Sequence, residues 1–195
     1  MWSALCVACV LAGLGVWIAS LLIWLVVRWH DKDIQLLPDE QVFMDAMKVQ
    51  GLSPGLYMWP HAGGDRQVHR MPDAQEKWNK GPWGVITMYP RRPAFVRQLI
   101  GSLWVHLAVA FGVGMSLGLV LSGVPLGSGV LISCRVCQIL LPTFVLGVVV
   151  YGLGGLGTDL LLGKPRRFMG TSVLDGVVFA AVQSGVLYLL WPDMA

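Results

Sequence analysis

The chain has 195 residues, of which 55% are hydrophobic and only 13% are charged, and its net charge is +3. A soluble domain carries about 25% charged residues, so this composition excludes an ordinary soluble protein and predicts one embedded in lipid. The positive charge is also too small and too scattered to indicate a nucleic-acid-binding protein.

Four stretches are apolar over the length of about 20 residues that a helix needs to cross a bilayer. We predict transmembrane helices over residues 3–27, 99–121, 136–161 and 171–191. The turn SGVPLGSG ends the second helix, and the basic loop GKPRRF precedes the fourth. The predicted fold is an all-α membrane protein, a four-transmembrane-helix bundle.

The polar stretch 28–98 is predicted to form a small α+β cap between helices one and two. In DEQVFMDAMKVQG, Asp39 is a suitable N-cap, the apolar residues follow helical spacing and Gly51 is a natural stop. GLYMWP and WGVITMYP are typical of short strands that end at proline, and MPDAQEKWNKGP of a second short helix. We expect this cap to lie on the membrane surface and to bury its aromatic side chains, which are Tyr57, Trp59, Trp78, Trp83 and Tyr89.

Lys and Arg residues predict the orientation of the helices. Basic clusters follow helix one, precede helix two and separate helices three and four, whereas the N-terminus, the SGVPLGSG turn and the final WPDMA contain none. Cytoplasmic loops carry the excess of basic residues. We therefore expect a multi-pass protein of the bacterial inner membrane, with both termini periplasmic and the cap cytoplasmic.

Short motifs in the cap carry a family resemblance. They are the P-G-x-Y-x-x-P element from Pro54 to Pro60 and the G-P-x-G element from Gly81 to Gly84, and Asp175 adds an acidic residue early in helix four. In these features the chain resembles a widespread family of uncharacterised bacterial integral membrane proteins with one span, a soluble segment and further spans. The resemblance covers most of the chain and implies this architecture, but no activity.

All four cysteines occur in two C-x-x-C pairs, Cys6/Cys9 and Cys134/Cys137. With both termini outside, the two pairs lie at overlapping depths on the outer side of helices one and three. Four thiols that faced each other could bind zinc or an iron–sulfur cluster, or exchange disulfides. Cysteine is also a small residue that is readily buried in apolar helices, and we favour this packing role.

Charged residues in or near the apolar helices are the next candidates, because lipid makes a charge costly. Asp159 and Asp175 flank a loop that contains Arg166 and Arg167, and these four residues are predicted to pair at the inner interface. This intramembrane charge cluster could instead line a polar path or bind a lipid head group, and Asp175 could instead cap a helix that starts near Ser172. Arg135, the remaining charge, is expected to reach water at the outer end of helix three.

A ridge of small residues recurs every four positions in helix two, and its members are Ala110, Gly114, Gly118 and Ser122. Such a ridge allows close helix packing, either within the bundle or in a homo-oligomer or larger membrane complex. The chain contains no P-loop, no H-E-x-x-H and no G-x-G-x-x-G after a strand. No cofactor is implied, and the expected partners are lipids and other membrane helices.

We therefore expect a non-enzymatic accessory or scaffold subunit that acts by helix association. Two alternatives stay open. One is a membrane thiol-redox or metal-binding protein that uses the cysteine pairs, and the other is a small transporter or channel.

Overall fold

The computed structural model describes residues 2–61, 63, 65–123 and 134–192. In these residues, four helices are long and apolar enough to cross a membrane, and we call them spans one to four: Trp2–Val27, Phe95–Ser122, Val136–Leu161 and Arg166–Leu190. The prediction of four apolar helices and a small sheet is confirmed. The chain forms two compact units, one of Met1–Gln35 with Phe95–Ala195 and one of Leu36–Ala94.

The elements follow one another in a simple order. Span one consists of α1 (Trp2–Leu22) and a π-helical turn (Ile23–Val27), and a 3-10 turn (Trp29–Lys32) follows it. The second unit contains α2 (Glu40–Val49), β1 (Gly55–Trp59), α3 (Arg66–His69), α4 (Pro72–Lys80) and β2 (Gly84–Met88). Span two lies within α5 (Phe95–Gly123). Span three joins α6 (Leu141–Gly147) and α7 (Leu156–Leu161) to the π-helical segments Val136–Leu140 and Val148–Leu153, and span four is α8 (Arg166–Leu190).

The spans pack closely because small residues lie where they cross. A methyl group built on Gly114 would lie 2.4 Å from Cys9 Sγ, and one on Gly118 would lie 2.5 Å from Leu5 Cδ2. The predicted ridge of span two therefore faces span one, with Ala110 fully buried beside it. Ser122, at the end of the ridge, is exposed and donates its hydroxyl to the carbonyl of Leu119.

Spans three and four approach even more closely, through glycines in both. A methyl group on Gly176 would lie 2.2 Å from Gly152 Cα, and one on Gly147 would lie 2.8 Å from Ala180 Cβ. The main chains of the two helices are thus in direct contact at Gly152 and Gly176, as expected where apolar helices have no larger side chain between them.

The second unit is a hairpin with short helices. Its strands are antiparallel, with Gly55 opposite Met88 and Trp59 opposite Gly84. The Asp39 carboxylate caps α2 by accepting a hydrogen bond from the Val42 N–H at 3.0 Å, which satisfies a donor that the first helical turn leaves free.

The unit by itself does not bury its aromatic side chains, so their expected burial at the membrane surface stays a prediction. Tyr57 is half-buried, and the other four are exposed, namely Trp59, Trp78, Trp83 and Tyr89. Two strands and short helices enclose too little volume for five large rings. None of the described residues in 36–94 is buried, so this unit has no core of its own.

The contact of Cys9 with Gly114 gives a test of the packing role of this cysteine. We expect Gly114→Ala to lower the free energy of unfolding by about 1–3 kcal/mol, because the new methyl group overpacks the contact with Cys9 Sγ. In Cys9→Ala that sulfur is absent, so the double variant should be more stable than the sum of the single effects predicts. Denaturant titration in detergent micelles measures all three variants. Gly112→Ala is the control, since nothing lies within 4 Å of its methyl position, and strict additivity of the two changes would contradict the packing role.

Candidate functional site: a histidine between two aspartates

The site begins where span one ends. The π-helical turn Ile23–Val27 closes with a hydrogen bond from the Arg28 N–H to the Ile23 carbonyl at 2.7 Å. Arg28 then adopts a left-handed conformation with φ 56°, which costs a residue with a Cβ about 1–2 kcal/mol. This change of direction ends the helix, and the 3-10 turn Trp29–Lys32 that follows contacts span four.

His30 lies at the centre of this turn and contacts an aspartate on each side. Its Nδ1 is 2.8 Å from Asp33 Oδ2, and its Nε2 is 2.8 Å from Asp175 Oδ2 in span four. His30 is 3% exposed, and the side chain of Asp33 is 1% exposed. A buried imidazole therefore bridges two buried carboxylates that are far apart in the sequence.

Side chains of span four hold Asp33 from the other side. The Thr171 hydroxyl donates to Asp33 Oδ2 at 2.6 Å, and Arg167 Nε lies 3.0 Å from Asp33 Oδ1. Burial is the largest influence on the pKa of Asp33 and acts to raise it. The hydrogen bonds from Thr171 and His30, with the charges of His30 and Arg167, outweigh this influence and lower the pKa of Asp33 below its ordinary value.

Two tryptophans complete the site. The Trp29 indole N–H donates to Asp175 Oδ1 at 3.0 Å, and the Trp24 ring stacks on the His30 ring with centroids 4.2 Å apart and planes at 9°. We call the polar residues together the His30 cluster: Trp29, His30, Asp33, Arg167, Thr171 and Asp175. Each carboxylate has more than one polar side-chain partner, as buried acidic groups require.

The geometry of the His30 cluster is suited to holding two segments of the chain together and not to acting on a substrate. A general base needs a nitrogen that can reach the proton of a substrate, whereas both nitrogens of His30 contact carboxylates and one face of its ring lies against Trp24. The cluster joins the turn after span one to the first half of span four. What it offers chemically is a network of charge-assisted hydrogen bonds around one imidazole.

The predicted charge cluster is divided in the structure. Asp175 contacts His30 and Trp29, and Arg167 contacts Asp33 and the carbonyl of Trp29. Asp159 pairs with Lys164 at 2.6 Å. The expected pairing of both aspartates with Arg166 and Arg167 is therefore wrong, because the turn after span one supplies the partners of Asp175 and Arg167. Arg166 is exposed.

Arg135 lies at the start of span three and reaches the end of span four. Its Nη2 donates to the Trp191 carbonyl at 2.6 Å, and its guanidinium carbon is 5.9 Å from the centre of the Tyr188 ring. The charge is thus satisfied by main-chain and aromatic groups of a neighbouring span. This contact links the ends of spans three and four.

The cysteines take different positions, and none is in a disulfide. Cys9 is buried and Cys6 half-buried, whereas Cys134 and Cys137 are exposed. Hydrogen bonds from the Cys137 N–H, the Cys137 side chain and the Val136 N–H lower the pKa of Cys134. Across the described part of the chain, no three His, Cys, Asp or Glu side chains are arranged to hold a metal ion. A redox or metal role for the thiols stays a prediction.

Sequence reasoning found Asp175 and Arg167 but missed their partners Trp29, His30, Asp33 and Thr171. The available signal was the segment WHDKD directly after span one, in which His30 and Asp33 are three residues apart and share one side of a helical turn. Comparisons with protein-family models, with curated proteins and with solved structures found no match. The family resemblance stays a prediction, and the geometry alone bears on function.

Proposed function

We propose that this protein is a non-enzymatic accessory or scaffold subunit that binds a partner protein through the unit Leu36–Ala94. The four apolar spans anchor it in the membrane. The distribution of Lys and Arg supports a bacterial inner membrane location, with both termini periplasmic and this unit cytoplasmic.

One observation carries the proposal: none of the described residues in 36–94 is buried, although many of them are large and apolar. Leu36, Val49, Leu56, Trp78 and Trp83 are each more than half exposed. A folded unit that leaves this much apolar surface in water is marginally stable, and large exposed apolar surfaces mark sites of association. Tryptophan, tyrosine and methionine, which are common in this unit, are also enriched at protein interfaces.

The charge of the unit favours a protein over an anionic lipid surface as the partner. Residues 36–94 contain seven basic and six acidic side chains, so the unit is nearly neutral. Recruitment to anionic lipid depends on an excess of basic residues, worth about 1 kcal/mol for each one near the surface. A mixed surface of aromatic and charged side chains instead matches the composition of protein interfaces.

Hydrogen–deuterium exchange in three settings tests this function: native membranes, liposomes that contain only the purified protein, and detergent micelles. We expect the amides of β1 and β2 to exchange slowly in native membranes and quickly in the other two settings, because only native membranes supply the partner. Leu56→Ser with Trp83→Ser should remove the protection. Lys48→Ala, an exposed polar position of the same unit, is the control and should keep it.

The other outcomes contradict the proposal in different ways. Slow exchange in liposomes of the purified protein would mean that lipid or the chain itself covers the unit. Fast exchange in all three settings would mean that nothing covers it, and the scaffold function would be wrong.

A further inference from the structure

We propose that the His30 cluster is a proton-binding site that fastens the turn after span one to span four. This inference goes beyond the scaffold function and does not depend on it. It rests on the positions of five hydrogen-bonding side chains around one imidazole.

The first step is a count of donors and acceptors at His30. A neutral imidazole has one N–H donor and one acceptor nitrogen, whereas an ionised carboxylate only accepts. Both nitrogens of His30 lie 2.8 Å from carboxylate oxygens. With a neutral ring and two ionised carboxylates, one of these contacts would bring two acceptors together without a hydrogen. The geometry therefore requires one additional proton, either on the imidazole or on the carboxyl group of Asp175, because Arg167 and Thr171 stabilise the ionised form of Asp33.

The second step concerns the charges that face the cluster. Arg167 lies against Asp33, while Asp175 receives the Trp29 N–H and, in the described part of the chain, has His30 as its only ion-pair partner. With Arg167 and one additional proton, the two carboxylates are neutralised. The neighbouring ion pairs, Arg28–Asp31 and Asp159–Lys164, are each neutral by themselves. The additional proton thus supplies the positive charge that Asp175 lacks.

The third step is the mechanical consequence. Trp29 and His30 lie within the turn after span one and Asp33 directly follows it, and their partners Arg167, Thr171 and Asp175 all lie on span four. Loss of the proton would replace a charge-assisted hydrogen bond with a repulsive contact between two acceptors. The turn would then be held less firmly. Arg28, directly before the turn, has a left-handed conformation that is unfavourable without these contacts. This conformation would favour release of the turn from span four.

Nitrogen-15 NMR of histidine-labelled protein in micelles tests the proton directly, with carbon-13 at the aspartate carboxyls. His30→Gln assigns the His30 signals, and the exposed His61 and His69 supply reference signals in the same spectrum. At pH 7.5 we expect both nitrogens of His30 to carry hydrogen, or one to do so while the carboxyl of Asp175 is protonated. In Asp175→Asn, the amide N–H₂ can donate to Nε2, so His30 should become neutral, with one donor and one acceptor nitrogen.

The result that overturns the proposal is a wild-type spectrum at pH 7.5 with a neutral His30 ring and both carboxyls ionised. The wild-type spectrum decides this point even if Asp175→Asn does not fold. Amide exchange of residues 29–33 tests the fastening role. Relative to the intrinsic exchange rate at each pH, exchange of these amides should accelerate at the pH where the proton leaves. An unchanged ratio across that pH would restrict the cluster to proton binding without release of the turn.

Discussion

Among substitutions that add one methyl group to this bundle, Gly176→Ala is expected to lower the free energy of unfolding the most. The new Cβ would lie 2.2 Å from Gly152 Cα and 2.3 Å from Gly152 N. Both are main-chain atoms, so no side chain can rotate away and spans three and four must separate. We expect the free energy of unfolding to fall by about 3 kcal/mol, at the upper end of ordinary overpacking. Denaturant titration of purified protein in micelles, followed by tryptophan fluorescence, measures it.

Two other glycines of the same spans are controls for this effect. Gly185→Ala adds a methyl group to span four with nothing within 4 Å, so it should be neutral or slightly stabilising through helix propensity. Gly152→Ala lies at the same crossing, but its methyl group would be 3.4 Å from the nearest atom, the Val173 carbonyl oxygen. It should be tolerated far better than Gly176→Ala. Equal decreases in the free energy of unfolding for Gly152→Ala and Gly176→Ala would contradict the geometry of this crossing.

The sequence predicts the elements of this protein better than their contacts. Apolar runs of sufficient length indicate four spans, and the N-cap Asp39 and the strands that end at proline have local signals. The four-residue period of span two predicts its ridge of small residues. By contrast, no local pattern shows that Gly176 meets Gly152, because that contact depends on the angle and register at which two helices cross.

The His30 cluster was missed for a related physical reason. Its central hydrogen bond joins His30 to Asp175, 145 residues apart, and charge spacing along the chain favoured the nearer arginines as partners of Asp175. The π-helical turn and the left-handed Arg28 redirect the chain so that His30 faces span four, and such irregular turns have weak sequence signals. For the aromatic residues of 36–94, composition indicates a preference for burial but does not count the atoms that this unit itself has available to cover them.

Asp33→Ala is expected to cause the second large loss of stability. The change removes the acceptor of Thr171, the partner of Arg167 and one of the two carboxylates at His30. Removing one member of a buried ion pair costs about 3–5 kcal/mol, and we expect about 3 kcal/mol, at the lower end of that range, because the half-exposed Arg167 side chain can regain water. The measurement is the same denaturant titration in micelles, at neutral pH.

Asp31→Ala is the matched control, since Asp31 lies in the same turn and pairs with Arg28 but is half exposed. An exposed pair of this kind contributes about 0–1 kcal/mol, so Asp31→Ala should change stability little. The pH dependence supplies a second check. Because the pKa of Asp33 is lower in the folded protein, its ionised form stabilises the fold above about pH 4, the ordinary value for aspartate, and this contribution is lost as the pH falls through the folded-state pKa. The difference between wild type and Asp33→Ala should therefore narrow in acid, and a constant difference down to the acid limit would show that Asp33 stabilises the turn by packing alone.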